Sequence, residues 1–221
     1  MKDNFDYALE KVLKHEGGFV DHPADPGGAT NKGITMYTYQ QFLEHAVDPN
    51  AQATVDDLAN IPDDDVYEIY KTMYWDKVWG DKLPDGLDFA MFDFAVNSGP
   101  ARAVKELQKN FFGCTTDGIM GSQTFGKIEE TINFVHPGTW QTKENSLGRK
   151  LRPEEDAEFR IDQKILSVEK LIQSLTDNRV KFLRTLKHYD HFGRGWERRC
   201  DKTNRDAINI CENITAKTIN S

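Results

Sequence analysis

No stretch of this chain approaches the ~20 consecutive apolar residues that a spanning helix requires. The apolar core of a signal peptide is missing too, because the N-terminus enters an amphipathic pattern at once, so synthesis in the cytoplasm is expected. Cysteine is scarce. Cys114, Cys200 and Cys211 make an odd count with no C-x-x-C spacing, which argues against a zinc ribbon and against a disulfide framework. Free thiols are expected for a chain folded in a reducing compartment; a Cys200–Cys211 bridge stays open only if the two lie on neighbouring elements. The scattered histidines form no H-E-x-x-H motif. Strong period-2 alternation is absent, so the chain is expected to be mainly α-helical. An excess of positive charge is absent as well. Lys and Arg number 28 against 36 Asp and Glu, a net charge of −8, which argues against a nucleic-acid or anionic-membrane partner. Neutral ligands that are read by aromatic faces and hydrogen bonds remain open.

What is present suffices for a core. The chain has 221 residues, 38% hydrophobic and 11% aromatic, enough for one large or two small domains. Its densest chemistry falls between Glu16 and Thr35. Upstream, Phe5, Ala8, Leu9, Val12 and Leu13 recur at helical period, and Glu16 continues the stripe. Gly17-Gly18 is expected to end the helix in a left-handed cap. A core-facing carboxylate at a helix C-terminus would be disfavoured as an anion by burial and by the helix dipole, which suits a general acid. The alternative is a solvated glutamate before a cap. His15 is expected to be exposed, pointing about 100° away from Glu16 on a helix. The following loop adds Asp21, Asp25, Thr30 and Thr35, with Pro23 and Pro26 restricting the backbone and Gly27, Gly28 and Gly33 permitting turns. An acid facing a fixed acidic loop is what two-carboxylate glycosidases use. Asp21, Asp25 and Asn31 also offer oxygen ligands, but their spacing is not that of an EF-hand, and no metal is expected.

The run E-G-G-F-V-D-H-P-A-D-P-G-G-A-T-N-K-G-I-T, Glu16 to Thr35, resembles the signature of glycoside hydrolase family 108, which groups phage endolysins and secretion-associated muramidases. The resemblance implies a lysozyme-like, mainly α fold with a short β-hairpin at the cleft. It implies an N-acetylmuramidase that acts on peptidoglycan without a cofactor and has Glu16 as its catalytic acid. By analogy with phage-type lysozymes, Asp25 and Thr30 would position the attacking water, although an aspartate there can instead hold the loop. Thr35, Tyr74, Trp75 and Asn97 are the expected substrate contacts. A wall substrate would require export by a holin or a secretion system, and a monomer is the default expectation. A lytic transglycosylase and a non-catalytic wall-binding protein are the rival readings.

Downstream, a short helix is expected around Tyr37 to Leu43, another over residues 55–59, and a third opened by Pro62 with Val66, Ile69, Tyr70 and Met73 buried. Tyr74, Trp75 and Trp79 then either pack or line a sugar groove. Residues 87–97 read as a helix whose Asp93 and Asn97 share a face. Asn97 there either hydrogen-bonds substrate or caps the helix. Pro100 marks the expected boundary between a catalytic region, 1–99, and a second region, 100–221. In the latter, an L-Q element followed by D-G-I-M-G-S-Q-T, residues 117–124, is similar to the turn of small peptidoglycan-binding domains, with Ser122 or Thr124 as helix cap. Residues 134–156 lack a period and read as a long loop, where Trp140 is either an exposed contact or core. A long helix from Phe159 is expected to break near Thr176-Asp177. The H-F-G-R-G-W-E-R-R run, residues 191–199, also resembles the family; Trp196 is expected to lock the last helices, with Arg198 and Arg199 pairing to carboxylates.

Overall fold

A computed structural model describes residues 2–14, 16–21, 28–135 and 137–219. The chain divides into two compact units, residues 1–81 and 82–221. The sequence motifs drew their line at Gly99–Pro100; packing draws it after Asp81. His15 and Asp25 lie outside the described residues.

In the first unit, α1 (Lys2–Leu13) buries Phe5, Ala8, Leu9 and Val12, the stripe read from the sequence. It ends before Glu16, not at the glycines. The Glu16 N–H donates to the Leu13 carbonyl at 3.2 Å, so Glu16 occupies the turn beyond the helix. A small antiparallel hairpin follows, β1 (Thr30–Asn31) and β2 (Ile34–Thr35), with Thr30 opposite Thr35 and Asn31 opposite Ile34. Lys32 (φ 47°) and Gly33 (φ 76°) connect the strands. Two positive-φ residues in a two-residue loop make the primed turn whose twist matches a hairpin. Val20 joins the same ladder, exchanging two 2.8 Å hydrogen bonds with Thr30. Next come α2 (Met36–Ala46), α3 (Val55–Ala59) with a Thr54–Asp57 capping box, and α4 (Asp63–Tyr70), whose acidic first turn complements the helix dipole. Past Tyr70 the chain continues through one π turn, Lys71–Trp75, and one 3₁₀ turn, Asp76–Val78.

The second unit is built on α5 (Leu87–Ser98), in which every residue from Leu87 to Ala95 is buried. A helix apolar on all sides is central by necessity. Around it run α6 (Pro100–Gln108), α7 (Ser122–Asn133), α8 (Pro137–Leu147), α9 (Pro153–Leu183) and α10 (Tyr189–Ile219). Three expectations fail here. The segment read as a long loop contains α8, opened by Pro137 at its start. Trp140 holds it, donating to Asp156 at 2.7 Å, with Phe159 5.9 Å away and the Arg160 guanidinium over the ring at 4.6 Å. Such contacts stabilise a helix that has no amphipathic period of its own. The expected break at Thr176 is absent because its hydroxyl donates to Ile172 O (2.9 Å) and to Asn204 Oδ1 (3.1 Å), satisfying the side chain within the helix. Gly121, not Ser122 or Thr124, occupies the cap of α7. Thr124 is buried and accepts from Gln108 Nε2 at 3.0 Å. Gln108 also donates to Asp117 and Ile119 O and accepts from Gly118 N, so the D-G turn is fixed by one buried amide.

Asp93 ties three helices of this unit together. Its carboxylate accepts from Arg179 (2.6 Å) on α9, and from Arg199 (2.9 Å) and Thr203 (3.1 Å) on α10. Burial alone would push this carboxyl up; the two guanidiniums outweigh it and hold it down at about 2. A depressed folded-state value stabilises the native state above the ordinary carboxylate range and loses that stabilisation as pH falls through it. Urea titrations are therefore expected to show stability falling from about pH 4 toward pH 2. The Asp93→Ala protein should lose about 3–5 kcal/mol, because buried Arg179 and part-buried Arg199 lose their counter-charge. If Asp93→Ala unfolds at the wild-type urea midpoint, the triad is not the tie described here.

All three cysteines are free. Cys200 and Cys211 share α10, about 16 Å apart along its axis, which exceeds disulfide reach. Both are buried, and burial raises both thiols, Cys211 to about 12. Iodoacetamide at pH 8 is expected to label Cys114 first in the native protein, with the other two reacting only after unfolding.

Candidate active site

The hairpin sets the geometry. Directly opposed residues of an antiparallel pair project to one side, so Thr30 and Thr35 share one face and Asn31 and Ile34 the other, buried one. Asn31, weighed above as an oxygen ligand, instead turns its amide nitrogen to Leu58 O (2.9 Å) and Ala59 O (3.0 Å). It bolts β1 to the last turn of α3. The Lys32-Gly33 turn is gripped from α4. Tyr70 donates its hydroxyl to Lys32 O at 2.7 Å, and Lys32 Nζ meets Asp63 at 2.6 Å.

Glu16, half-buried, reaches this turn. A Cβ placed on Gly33 would stand 2.9 Å from Glu16 Oε2 and 2.6 Å from the Tyr70 hydroxyl. The absence of a side chain at Gly33 is thus what lets the carboxyl and the phenol meet the turn backbone. Beside them lies a line of hydroxyls. Thr35 caps α2 by accepting from Thr38 N at 3.2 Å, and its Oγ1 is 3.0 Å from Thr38 Oγ1. The Tyr74 phenol hydrogen-bonds the Thr38 side chain and feels the Glu16 charge; its ring packs 5.6 Å from Tyr70. Burial raises the Tyr74 phenol most, the Thr38 hydrogen bond lowers it, and the Glu16 charge adds a smaller upward push, so that the phenol lies above its ordinary value. Tyr74 therefore stays a neutral hydroxyl. Among the described residues the Glu16 carboxyl lies among neutral hydroxyls and open backbone, able to give or take a proton at a polar, uncharged ligand.

The residues singled out from the sequence separate into groups. Glu16, Thr35 and Tyr74 come together, and Thr30 stands opposite Thr35 in the hairpin. Trp75 does not face a groove: it is fully buried, 5.3 Å from the Phe5 ring, with Nε1 donating to Asp81 at 2.9 Å and its ring face against Gly80. That correction has a simple cause, since the π turn after Tyr70 rotates Trp75 inward. Asn97 belongs to the other unit, exposed, its Oδ1 accepting from Ser98 at 3.2 Å. Asp21 is exposed. Tyr70 and Thr38 were not recognised from sequence. Tyr70 was legible in part, because a tyrosine in an otherwise aliphatic buried stripe needs a polar partner for its hydroxyl. Among the described residues no group of three or more His, Cys, Asp or Glu could hold a metal ion.

A family model for glycosyl hydrolase 108 matches residues 9–99, which span the hairpin, Glu16 and both tyrosines. The solved structure of SagA from Brucella abortus is similar to this chain, with 31% identity over 96% of this chain and 97% of that one and a TM-score of 0.70. This chain belongs to the glycosyl hydrolase 108 family. No curated protein sequence matches it. As a glycosyl hydrolase 108 protein it has the mainly α, lysozyme-like fold read from its sequence, with the short hairpin beside the candidate acid. The matched span ends at Gly99, beyond the Asp81 edge of the compact unit that holds the site.

Gly33→Ala tests the geometry. An alanine at φ +76° costs about 1–2 kcal/mol, and its methyl group displaces Glu16 or Tyr70. Glycan hydrolysis should fall roughly 100-fold, the scale of an ångström-sized misplacement of a catalytic group, with a much smaller change in melting temperature. Wild-type activity in Gly33→Ala would mean that the carboxyl does not work from this position.

Proposed function

We propose that this glycosyl hydrolase 108 protein is an N-acetylmuramidase, cleaving the β-1,4 bond between N-acetylmuramic acid and N-acetylglucosamine in peptidoglycan. The observation that carries this reading is the Glu16 carboxyl against Gly33 and Tyr70, at the head of the family's sequence signature. In this reading Glu16 donates its proton to the glycosidic oxygen as the bond to the anomeric carbon breaks. Asp25 and Thr30 steady the attacking water or the positive charge that develops on the sugar. Thr35 and Tyr74 supply neutral hydroxyls to the substrate. Hydrolysis by this route needs neither metal nor organic cofactor. No described helix is long and apolar enough to cross a membrane, and we take the protein to act as a monomer on the wall after export by a holin or a secretion system.

Clearing of purified sacculi by wild type and Glu16→Gln, with mass spectrometry of the soluble fragments, tests the proposal. Wild type should release reducing muramic-acid ends, and Glu16→Gln should be slower by about 10²–10⁴-fold, the usual contribution of a general acid. Anhydro-muramic ends, one water lighter, would make the protein a lytic transglycosylase. Equal clearing by both would remove Glu16 from the chemistry. No clearing by either would leave a wall-binding protein.

A further inference from the structure

The H-F-G-R-G-W-E-R-R run ties α10 to α5 through Arg199 and Asp93, and its Trp196 is half-buried. It forms the first turns of α10, and its aromatic side chains collect at the surface. Phe192 is 57% exposed. Its ring lies 6.0 Å from that of half-buried Trp196, tilted by only 31°, and 6.4 Å from His191. Tyr189 stands 6.4 Å from Trp196 on the other side. Gly193 makes this possible, because a Cβ there would meet the Tyr189 ring at 2.5 Å. Single exposed apolar residues need no explanation, but clustered ones mark contact surfaces.

The rim of this cluster is polar and already oriented. Glu197 Oε1 accepts from the Tyr189 hydroxyl at 2.5 Å and from Arg184 Nε at 2.8 Å. Arg184 and Glu197 also line a polar hollow of about 430 Å³ between α9 and α10. Its charges balance: Lys181, Arg184 and Arg205 against Asp177, Glu197 and Asp201. A polyanion would be repelled by half of them and a polycation by the other half. A neutral ligand rich in hydroxyls and amides matches both the balanced groove and the ring faces, since flat aromatic surfaces take the apolar C–H face of a pyranose while the fork takes its hydroxyls.

We propose that the start of α10, with Phe192 and Trp196 as platform and the Arg184–Glu197 fork as rim, is a saccharide-binding surface of the second unit, through which the protein holds a neutral glycan strand. The proposal rests on the peptidoglycan reading for the identity of that strand, but not on the role of Glu16. It places the sugar contact of this unit on α10, away from the D-G turn at residues 117–124, which Gln108 already consumes.

The test is co-sedimentation of the full-length chain with purified sacculi, and competition by soluble N-acetylglucosamine oligosaccharides, at low and high salt. The side chain of Phe192 is largely exposed, so Phe192→Ala should keep the wild-type melting temperature. It should weaken sedimentation about tenfold, the scale of one aromatic contact. Phe112→Ala, at a fully exposed phenylalanine elsewhere in the same unit, should bind as wild type. Binding should persist at high salt and be competed by the oligosaccharides. Unchanged binding in Phe192→Ala, loss in Phe112→Ala instead, or release by salt would each overturn the proposal. Wild type that does not sediment at all would overturn it too. The Glu16 reading fails separately. A Glu16→Gln protein that clears sacculi like wild type, yet loses sedimentation when Phe192→Ala is added, would sink the acid and keep the surface. The reverse pattern would sink the surface and keep the acid.

Discussion

The hydrogen bond from Tyr70 to the Lys32 carbonyl is the contact on which the candidate site depends. A two-residue hairpin alone in water is marginal, and this one carries a lysine in the left-handed region at a cost of about 1–2 kcal/mol. It persists because neighbouring elements fix it at several points. Tyr70 holds the turn, Asp63 pairs with Lys32, Asn31 takes the carbonyls at the end of α3, and Thr35 passes straight into α2 as its cap. Tyr70 and Asp63 come from α4, Asn31 reaches α3 and Thr35 opens α2, so three helices of the first unit fix the turn. The hairpin is therefore a product of the packed unit, and Glu16 inherits its position from that packing.

The same logic explains why Gly33 stands at the tip. Its positive φ is required by the turn, and its missing side chain is required by the carboxyl and the phenol that close on it. One residue meets a local and a long-range demand together. The second unit solves an analogous problem with charge. Asp93 lies inside a helix with no polar face, and only two arginines from distant helices make its burial tolerable. A buried counter-charge is a costly way to join helices, but it ties their register to the meeting of both guanidiniums with one carboxylate.

The second unit also separates two motifs that read alike in sequence. The turn around Asp117 is occupied by its own hydrogen bonds, leaving few polar groups for a ligand. The aromatic run at the start of α10 lies open to solvent beside a charge-balanced groove. The first is similar to the turn of peptidoglycan-binding domains yet reads as largely structural; the second carries the exposed ring of Phe192.

Sequence by itself determined the helical class, the stripe of α1, the boundaries of α3 and the segment that carries the chemistry, while the hairpin was implied by the family resemblance. These are local properties: period, caps, turn residues and a long contiguous signature. It could not decide which aromatics face inward. Tyr70, Tyr74 and Trp75 are near neighbours in the chain, and past Tyr70 a single π turn sends Trp75 into the core, while Tyr70 holds the hairpin turn and Tyr74 meets Thr38 on α2. Nor could it find α8, whose helix is held by Trp140 against α9, or the unbroken course of α9 through Thr176. The end of α1 shows the same limit, because spacing put Glu16 on the helix whereas the chain leaves helical geometry after Leu13. Contacts at a distance in sequence, Trp140 with Asp156 and Thr176 with Asn204, decided the two helices, and a one-dimensional pattern records the residues that make such contacts without recording which partners they meet.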